Sequence, residues 1–360
     1  MRAFRWAGPA LVGALTLLSA CGKDERPSIT GPTADVTTAD GGPELAVYGL
    51  GWINRAVGSA CNRDQYRQFD FWLGQWNIFN PAEVQTGTSV ISRDLDGCVI
   101  TEDFIGSGGG AGMSLNAYDA ATGKWYQTFV DNLIGNFRIS GGLVGDEMVM
   151  TGLQPIFQPG VGVVDRDTKV TWTPNADGSV HQVVENSFDG GPVQTGFDGL
   201  YIPATDLNRA TPNTFSFCRL FPASSDLDFW QGDWSVAAEQ NGLDLGTSHV
   251  EKKLNDCLVQ EDFQTPRGYK NRSYMFYDFV VDTWFRTFMD NDGQFVRLSG
   301  GQQDGKMVFT GDDVAPGGAT FQLRVTIESA GPGRVRQTWE VSHDDGVNWI
   351  PRLVLDYTQS

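Results

Sequence analysis

The side chains able to do acid–base or ion-pair chemistry in this 360-residue chain come in matched sets. Glu102, Asp131, Arg138 and Glu185 are answered later in the chain by Glu261, Asp290, Arg297 and Glu340. A tryptophan accompanies each set, Trp125 in the first and Trp284 in the second. Carboxylates beside an arginine in an apolar pocket can orient a polar ligand group, or work as acid and base. The same residues can instead form a buried ion pair, Arg138 with Glu102 or Asp131, that only holds the architecture. Both readings stay open. Retention of the set in both copies, while the surroundings diverge, favours the architectural one.

Other chemistries are disfavoured. The three histidines, His181, His249 and His343, do not match between the copies. A Ser-His-Asp hydrolase, a His-ligated haem or a His-rich zinc site would need one that both share, unless only one copy is active. The run Gly106–Gly112 lacks the GK[ST] of a phosphate loop. Asp290-Asn-Asp-Gly293 and Asp344-Asp-Gly346 lack the spaced ligands of an EF-hand and read as turns. No metal and no cofactor is expected. With 26 Lys and Arg against 44 Asp and Glu, the formal charge of −18 argues against nucleic acid and anionic lipid as partners.

The elements that must position these residues are repeated as well. Phe69-Asp70-Phe71-Trp72-Leu73-Gly74-Gln75-Trp76 recurs as Leu227-Asp228-Phe229-Trp230-Gln231-Gly232-Asp233-Trp234. Trp125-Tyr126-Gln127-Thr128-Phe129-Val130-Asp131-Asn132 recurs as Trp284-Phe285-Arg286-Thr287-Phe288-Met289-Asp290-Asn291. Arg138-Ile139-Ser140-Gly141-Gly142 recurs as Arg297-Leu298-Ser299-Gly300-Gly301. A unit of about 130 residues is too long for a solenoid repeat, so these are tandem domains. Short β-branched and aromatic runs such as 124–130, 169–173 and 283–289, cut by Gly, Asn and Asp, predict strands almost throughout. Alternation puts Trp125, Gln127, Phe129 and Asp131 on one face, and Tyr126, Thr128 and Val130 on the other. Large groups on both faces fit a strand that lines a barrel inside and packs on a neighbour outside. The fold class is all-β: two tandem antiparallel barrels, closed because closure removes exposed edges.

Cysteines follow the repeat. Cys98 and Cys257 match, and Cys61 and Cys218 stand at similar distances before Trp72 and Trp230. Each domain therefore owns one pair, Cys61–Cys98 and Cys218–Cys257. As disulfides, loops of this size stabilise by roughly 3–4 kcal/mol.

At the N-terminus, Arg2 and Arg5 precede an apolar run, Ala10–Leu18, and then Leu18-Ser19-Ala20-Cys21-Gly22. This resembles the lipobox of bacterial lipoproteins, which implies that residues 1–20 are a signal peptide and that Cys21 is lipidated. The apolar run is shorter than the roughly 20 residues of a spanning helix. Removal of residues 1–20 takes away two arginines and lowers the formal charge from −18 to −20. Residues 21–60 then read as a disordered tether. The first barrel is expected over 61–203, a linker over 204–216 and the second barrel over 217–360. The resemblance implies a cell-envelope location with membrane contact through the lipid only, and Gly22 after the cysteine implies the outer membrane of a Gram-negative cell.

The Gly-x-Trp of Gly74–Trp76 and Gly232–Trp234 resembles the first-strand signature of lipocalins and other calycins. The F-D-F-W-x-G-x-W opening, the Cys98/Glu102 spacing and the W-x-x-T-F-x-D-N strand are similar to a family of uncharacterised bacterial exported proteins with lipocalin-like barrels. The resemblance covers nearly all of 69–201 and 227–357. It implies an arginine over the Gly-x-Trp indole, a place for Arg352 in the second copy, with no counterpart at Gly196-Phe197-Asp198 in the first. The expected function is binding of an apolar or amphipathic small molecule, or an envelope scaffold. The competing class is an isomerase or lyase that uses the Glu/Asp/Arg cluster.

Overall fold

The computed structural model describes residues 60–314 and 318–360. Cys21, the signal segment and all of the proposed tether but Ala60 lie outside the described residues. Alternating runs broken by tight turns fold as strands along the rest of the chain. The first ten are β1 (Gly74–Phe79), β2 (Gln85–Asp94), β3 (Val99–Gly106), β4 (Ala111–Asp119), β5 (Lys124–Asp131), β6 (Asn136–Val144), β7 (Glu147–Gln158), β8 (Gly162–Pro174), β9 (Val180–Phe188) and β10 (Gln194–Pro203). The second ten are β11 (Gly232–Ala238), β12 (Asp244–Lys253), β13 (Leu258–Gln264), β14 (Lys270–Asp278), β15 (Thr283–Asp290), β16 (Phe295–Gln303), β17 (Lys306–Val314), β18 (Thr320–Ser329), β19 (Arg334–Ser342) and β20 (Ile350–Gln359). Each strand pairs antiparallel with its chain neighbours, β1 closes on β10, and β11 closes on β20. The two tandem closed antiparallel barrels expected from the repeat are present. Ten strands each is two more than a lipocalin barrel has, and a wider ring leaves more interior to fill.

One end of each barrel is sealed by the Gly-x-Trp motif. Gly74 and Gly232 have φ of 146° and 137°, in the region that favours glycine. They let the chain pass from the short turns Asp70–Trp72 and Asp228–Trp230 into β1 and β11. The Trp76 and Trp234 indole N–H groups then donate back to the Trp72 and Trp230 carbonyls, each at 3.0 Å. Phe69, Trp72, Trp125 and Trp172 pack into a fully buried aromatic plug in barrel one. Arg352 does not take the place that the resemblance implied. Trp234 pairs with Gln359, seven residues past Arg352 and so about 20 Å along β20. The edge of Tyr357 stands there instead, at 6.4 Å.

The disulfides are Cys61–Cys98 and Cys218–Cys257, one per barrel. Both enter one apolar cluster that joins Tyr66, Leu95 and Val130 of barrel one to Tyr274, Phe276 and Met289 of barrel two. The seam is reciprocal. Thr128 and Thr287, equivalent in the repeat, share a hydrogen bond of 2.9 Å. Arg138 lies 3.4 Å over the Phe285 ring, and Arg297 lies 4.4 Å over the ring of Tyr126, the residue equivalent to Phe285. Equivalent residues exchanging contacts in this way make a pseudo-two-fold, isologous interface. The duplicated Ser-Gly-Gly has a packing reason nearby: a Cβ on Gly141 or Gly300 would run into the carbonyl of Val149 or Val308 on the next strand.

Candidate functional site

Barrel one holds a cavity of about 260 Å³. Barrel two, at the corresponding place, has about 10 Å³. Period-two alternation decides what reaches the cavity. On β3 it turns Glu102 and Phe104 inward, and on β5 Gln127, Phe129 and Asp131. β8 adds Arg166 and Thr168, β9 Gln182, Val184 and Asn186, and β10 Phe197 and Tyr201. Aromatic faces form much of the wall.

Glu102 lies deep in this space and is 4% exposed. Its carboxylate accepts from Ser89 Oγ at 3.1 Å and Ser114 Oγ at 3.0 Å. Burial pushes its pKa up to about 7, against the two hydroxyls, with Asp103 adding to the rise. Gln127 is fixed by a chain of amides: Asn116 Nδ2 donates to the Ile100 carbonyl, so Asn116 Oδ1 accepts from Gln127 Nε2 at 2.6 Å. That leaves Gln127 Oε1 buried with no donor among the described residues, and Gln182 Oε1 is in the same state. Two charged groups line the mouth. Arg166 donates to the Asn136 carbonyl at 2.9 Å, and Asp131 accepts from the N–H groups of Leu133 and Gly135. Burial raises the Asp131 pKa against those two donors.

In barrel two the same carboxylate is covered by the chain itself. Glu261 keeps the serine, Ser248 Oγ at 3.3 Å, and gains the Tyr357 hydroxyl at 3.0 Å. Arg286 stands where barrel one has Gln127. It reaches Glu261 at 3.2 Å and Ser273 Oγ at 3.1 Å, with its guanidinium 5.2 Å from the Trp339 ring. Register equates Trp339 with Val184, Leu323 with Thr168 and Phe321 with Arg166. Larger and apolar side chains have filled the space.

The structure separates the residues singled out from the sequence. Glu102 and Asp131 reach the cavity, and Glu261 holds the equivalent interior place in barrel two. Asp290 is buried and accepts from the N–H groups of Asp292 and Gln294, as its counterpart does for its own turn. Trp125 and Trp284 belong to the buried ends, donating to Gln68 at 3.0 Å and Asp226 at 3.3 Å. Four residues are corrections. Arg138 and Arg297 have inward neighbours at 137 and 139, or 296 and 298, so strand parity sends them outward onto the opposite barrel. The expected pair of Arg138 with Glu102 or Asp131 does not form; its carboxylate is Asp278, at 4.0 Å. Burial lowers the Arg138 pKa to about 10, opposed by Asp278 and helped by Arg297. Glu185 and Glu340 also point outward, to Lys169 at 3.1 Å and Arg324 at 2.7 Å. The sequence reading missed Gln127, Gln182, Arg166 and Tyr201 as cavity residues. One signal was available: Gln127 becomes Arg286 inside a motif whose other changes, Tyr126 to Phe285 and Val130 to Met289, are conservative.

Two outer grooves, of about 480 and 330 Å³, run along the seam between the barrels. In the larger, Arg272 ties Asp262 to Asp94 of the other barrel, each at 2.6 Å, which is a structural use of those charges.

No family model and no curated protein matches the chain. Solved structures with some likeness include a protein of unknown function of the DUF3598 family from Nostoc punctiforme, at 8% identity and TM-score 0.18, over 83% of this chain and 100% of that one. A provisionally assigned outer membrane protein of Bacteroides fragilis has 11% identity and TM-score 0.17, over 81% and 99%. A bifunctional dehydratase-cyclase domain in ambruticin biosynthesis has 16% identity and TM-score 0.12, over 59% and 74%. Likenesses this weak carry no argument about what the chain does.

Proposed function

We propose that this is an exported, lipid-anchored cell-envelope protein whose first barrel binds an apolar or amphipathic small molecule, with the second barrel as its scaffold. One observation carries the binding reading. Of two copies of one fold, the second is packed solid and the first keeps about 260 Å³ beside a buried carboxylate. Cores are close-packed by default, so a cavity lined by aromatics and a few convergent polar groups fits a ligand site. Anchoring rests on the sequence around Cys21.

The binding test uses N-phenyl-1-naphthylamine, whose fluorescence rises in apolar surroundings. Saturable one-to-one binding is expected for the wild type. Val184→Trp, which installs the Trp339 of barrel two, should abolish it; unchanged binding would place the dye elsewhere. Cys21→Ser should leave the membrane fraction, and equal retention of mutant and wild type would remove the anchor. One observation favours the enzymatic alternative, an isomerase or lyase: a carboxyl with a pKa of about 7 can give and take a proton. Turnover lost in Glu102→Gln while binding persists would select that reading.

A further inference from the structure

We infer that the ligand of barrel one carries a cationic nitrogen head, an ammonium or guanidinium, seated on Glu102. This rests on the cavity being a binding site and goes further by naming the chemistry of the head. The second barrel supplies the argument. It repeats the buried glutamate, the two serines and the tyrosine, as Glu261, Ser248, Ser273 and Tyr357. There the chain's own Arg286 fills the space, with its guanidinium on the carboxylate, on a serine hydroxyl and beside an indole face. The protein itself thus records what this carboxylate pocket is complementary to. Barrel one has Gln127 in place of that internal cation, and a cavity beside it.

The remaining polar atoms point the same way. Glu102 accepts from two serines and has no cation within ion-pair distance among the described residues. Gln127 Oε1 and Gln182 Oε1, on residues 2% and 7% exposed, are acceptors without donors among the described residues. A head that meets a carboxylate and two amide oxygens must bring hydrogen-bond donors, and a cationic N–H group makes those bonds stronger than a neutral hydroxyl does. The phenylalanine faces of the wall suit an apolar body and can also face a cation. Arg166 does not compete for Glu102, since it is held at the mouth by the Asn136 carbonyl.

Affinity should depend on pH. The groups facing Glu102 are Ser89, Ser114, Gln127, Gln182 and Tyr201, with Asp103 behind it and Asp131 and Arg166 at the mouth. Burial keeps the Tyr201 hydroxyl protonated far above neutrality. The group that titrates near neutrality is therefore Glu102 itself, and its protonation competes with the cation. Binding weakens as pH falls below about 7.

The test is displacement of N-phenyl-1-naphthylamine from the exported chain carrying Cys21→Ser. The competitors are 2-phenylethylammonium, 2-phenylethanol and 3-phenylpropanoate, at pH 8 and pH 5.5. At pH 8 the ammonium should displace the dye at a concentration at least about tenfold lower than the alcohol, and the carboxylate should be weakest. That preference should shrink at pH 5.5. The ratio of the two displacing concentrations should fall to about one in Glu102→Gln, read against that variant's own dye affinity, and in Gln127→Arg, which supplies the internal cation that barrel two has. No preference for the ammonium over the alcohol, whether both displace the dye or neither does, overturns the inference. Failure of the wild type to bind the dye ends the cavity reading itself.

Discussion

The two barrels share strand order, end plug, disulfide and buried glutamate, yet one interior is filled and the other is not. Four inward replacements go with the difference. Gln127, Val184, Thr168 and Arg166 of barrel one stand where barrel two has Arg286, Trp339, Leu323 and Phe321. None of them alters the strand pattern, because each exchanges one inward side chain for another. A closed barrel fixes which positions face inward; whether that interior is core or pocket is left to side-chain volume. Duplication therefore lets one copy supply packing while the other keeps space.

The largest expected effect comes from breaking the filled barrel. Arg286 is fully buried on Glu261, so Arg286→Met leaves a carboxylate with no compensating charge. We predict a cost of about 3–5 kcal/mol and a fall in Tm on the order of 10 °C, measured by calorimetry at pH 8. A change below about 2 °C would show that Glu261 does not depend on the ion pair.

Barrel one should answer with the opposite sign. Glu102 has a folded pKa of about 7, above its ordinary value of 4.5. Between those values the folded state binds more protons than the unfolded chain, so its contribution to stability falls as pH rises from about 4.5 to about 7. Glu102→Gln removes that dependence. The variant should match the wild type near pH 4 and exceed it at pH 8, by up to about 3 kcal/mol. Urea unfolding at both pH values measures the gap. A variant less stable than wild type at pH 8 would mean that the carboxylate is needed for folding.

Much of this was legible in the residues. The repeat and the run of short strands pointed to two tandem barrels, and the paired cysteines to the disulfides. Glu102 and Glu261 were singled out and both lie inside. Arg138, Arg297, Glu185 and Glu340 were singled out and lie outside. For Arg138 the reason is physical: on β5 and β6 the outer face is buried against the other barrel, so Tyr126 and Arg138 have apolar surroundings, as inward residues do. Alternation separates the two faces of such a strand without saying which one is interior. The cavity was less legible still, because its volume depends on residues that meet across the barrel from β3, β5, β8 and β9.

The smallest effect tests the seam, where the two copies can be compared through equivalent contacts. Arg297 lies 4.4 Å over Tyr126, is exposed, and faces its partner ring mainly through cation–π attraction. Arg297→Met should then cost only about 0.5–1 kcal/mol. Arg138 is closer to its ring, at 3.4 Å, and lies 4.0 Å from Asp278, whose side chain is 2% exposed. Arg138→Met takes the charge away from a buried carboxylate as well as from a ring, so it should cost more, about 1–2 kcal/mol. Double-mutant cycles with Tyr126→Leu and Phe285→Leu isolate the two stacking energies from everything else that the arginines do. If pseudo-symmetry governs the seam energetically, the two coupling energies will be alike and the excess for Arg138 will lie in its single-mutant cost, through Asp278. Coupling confined to Arg138 and Phe285 would mean that the reciprocal geometry survives from duplication while only one half still holds the barrels together.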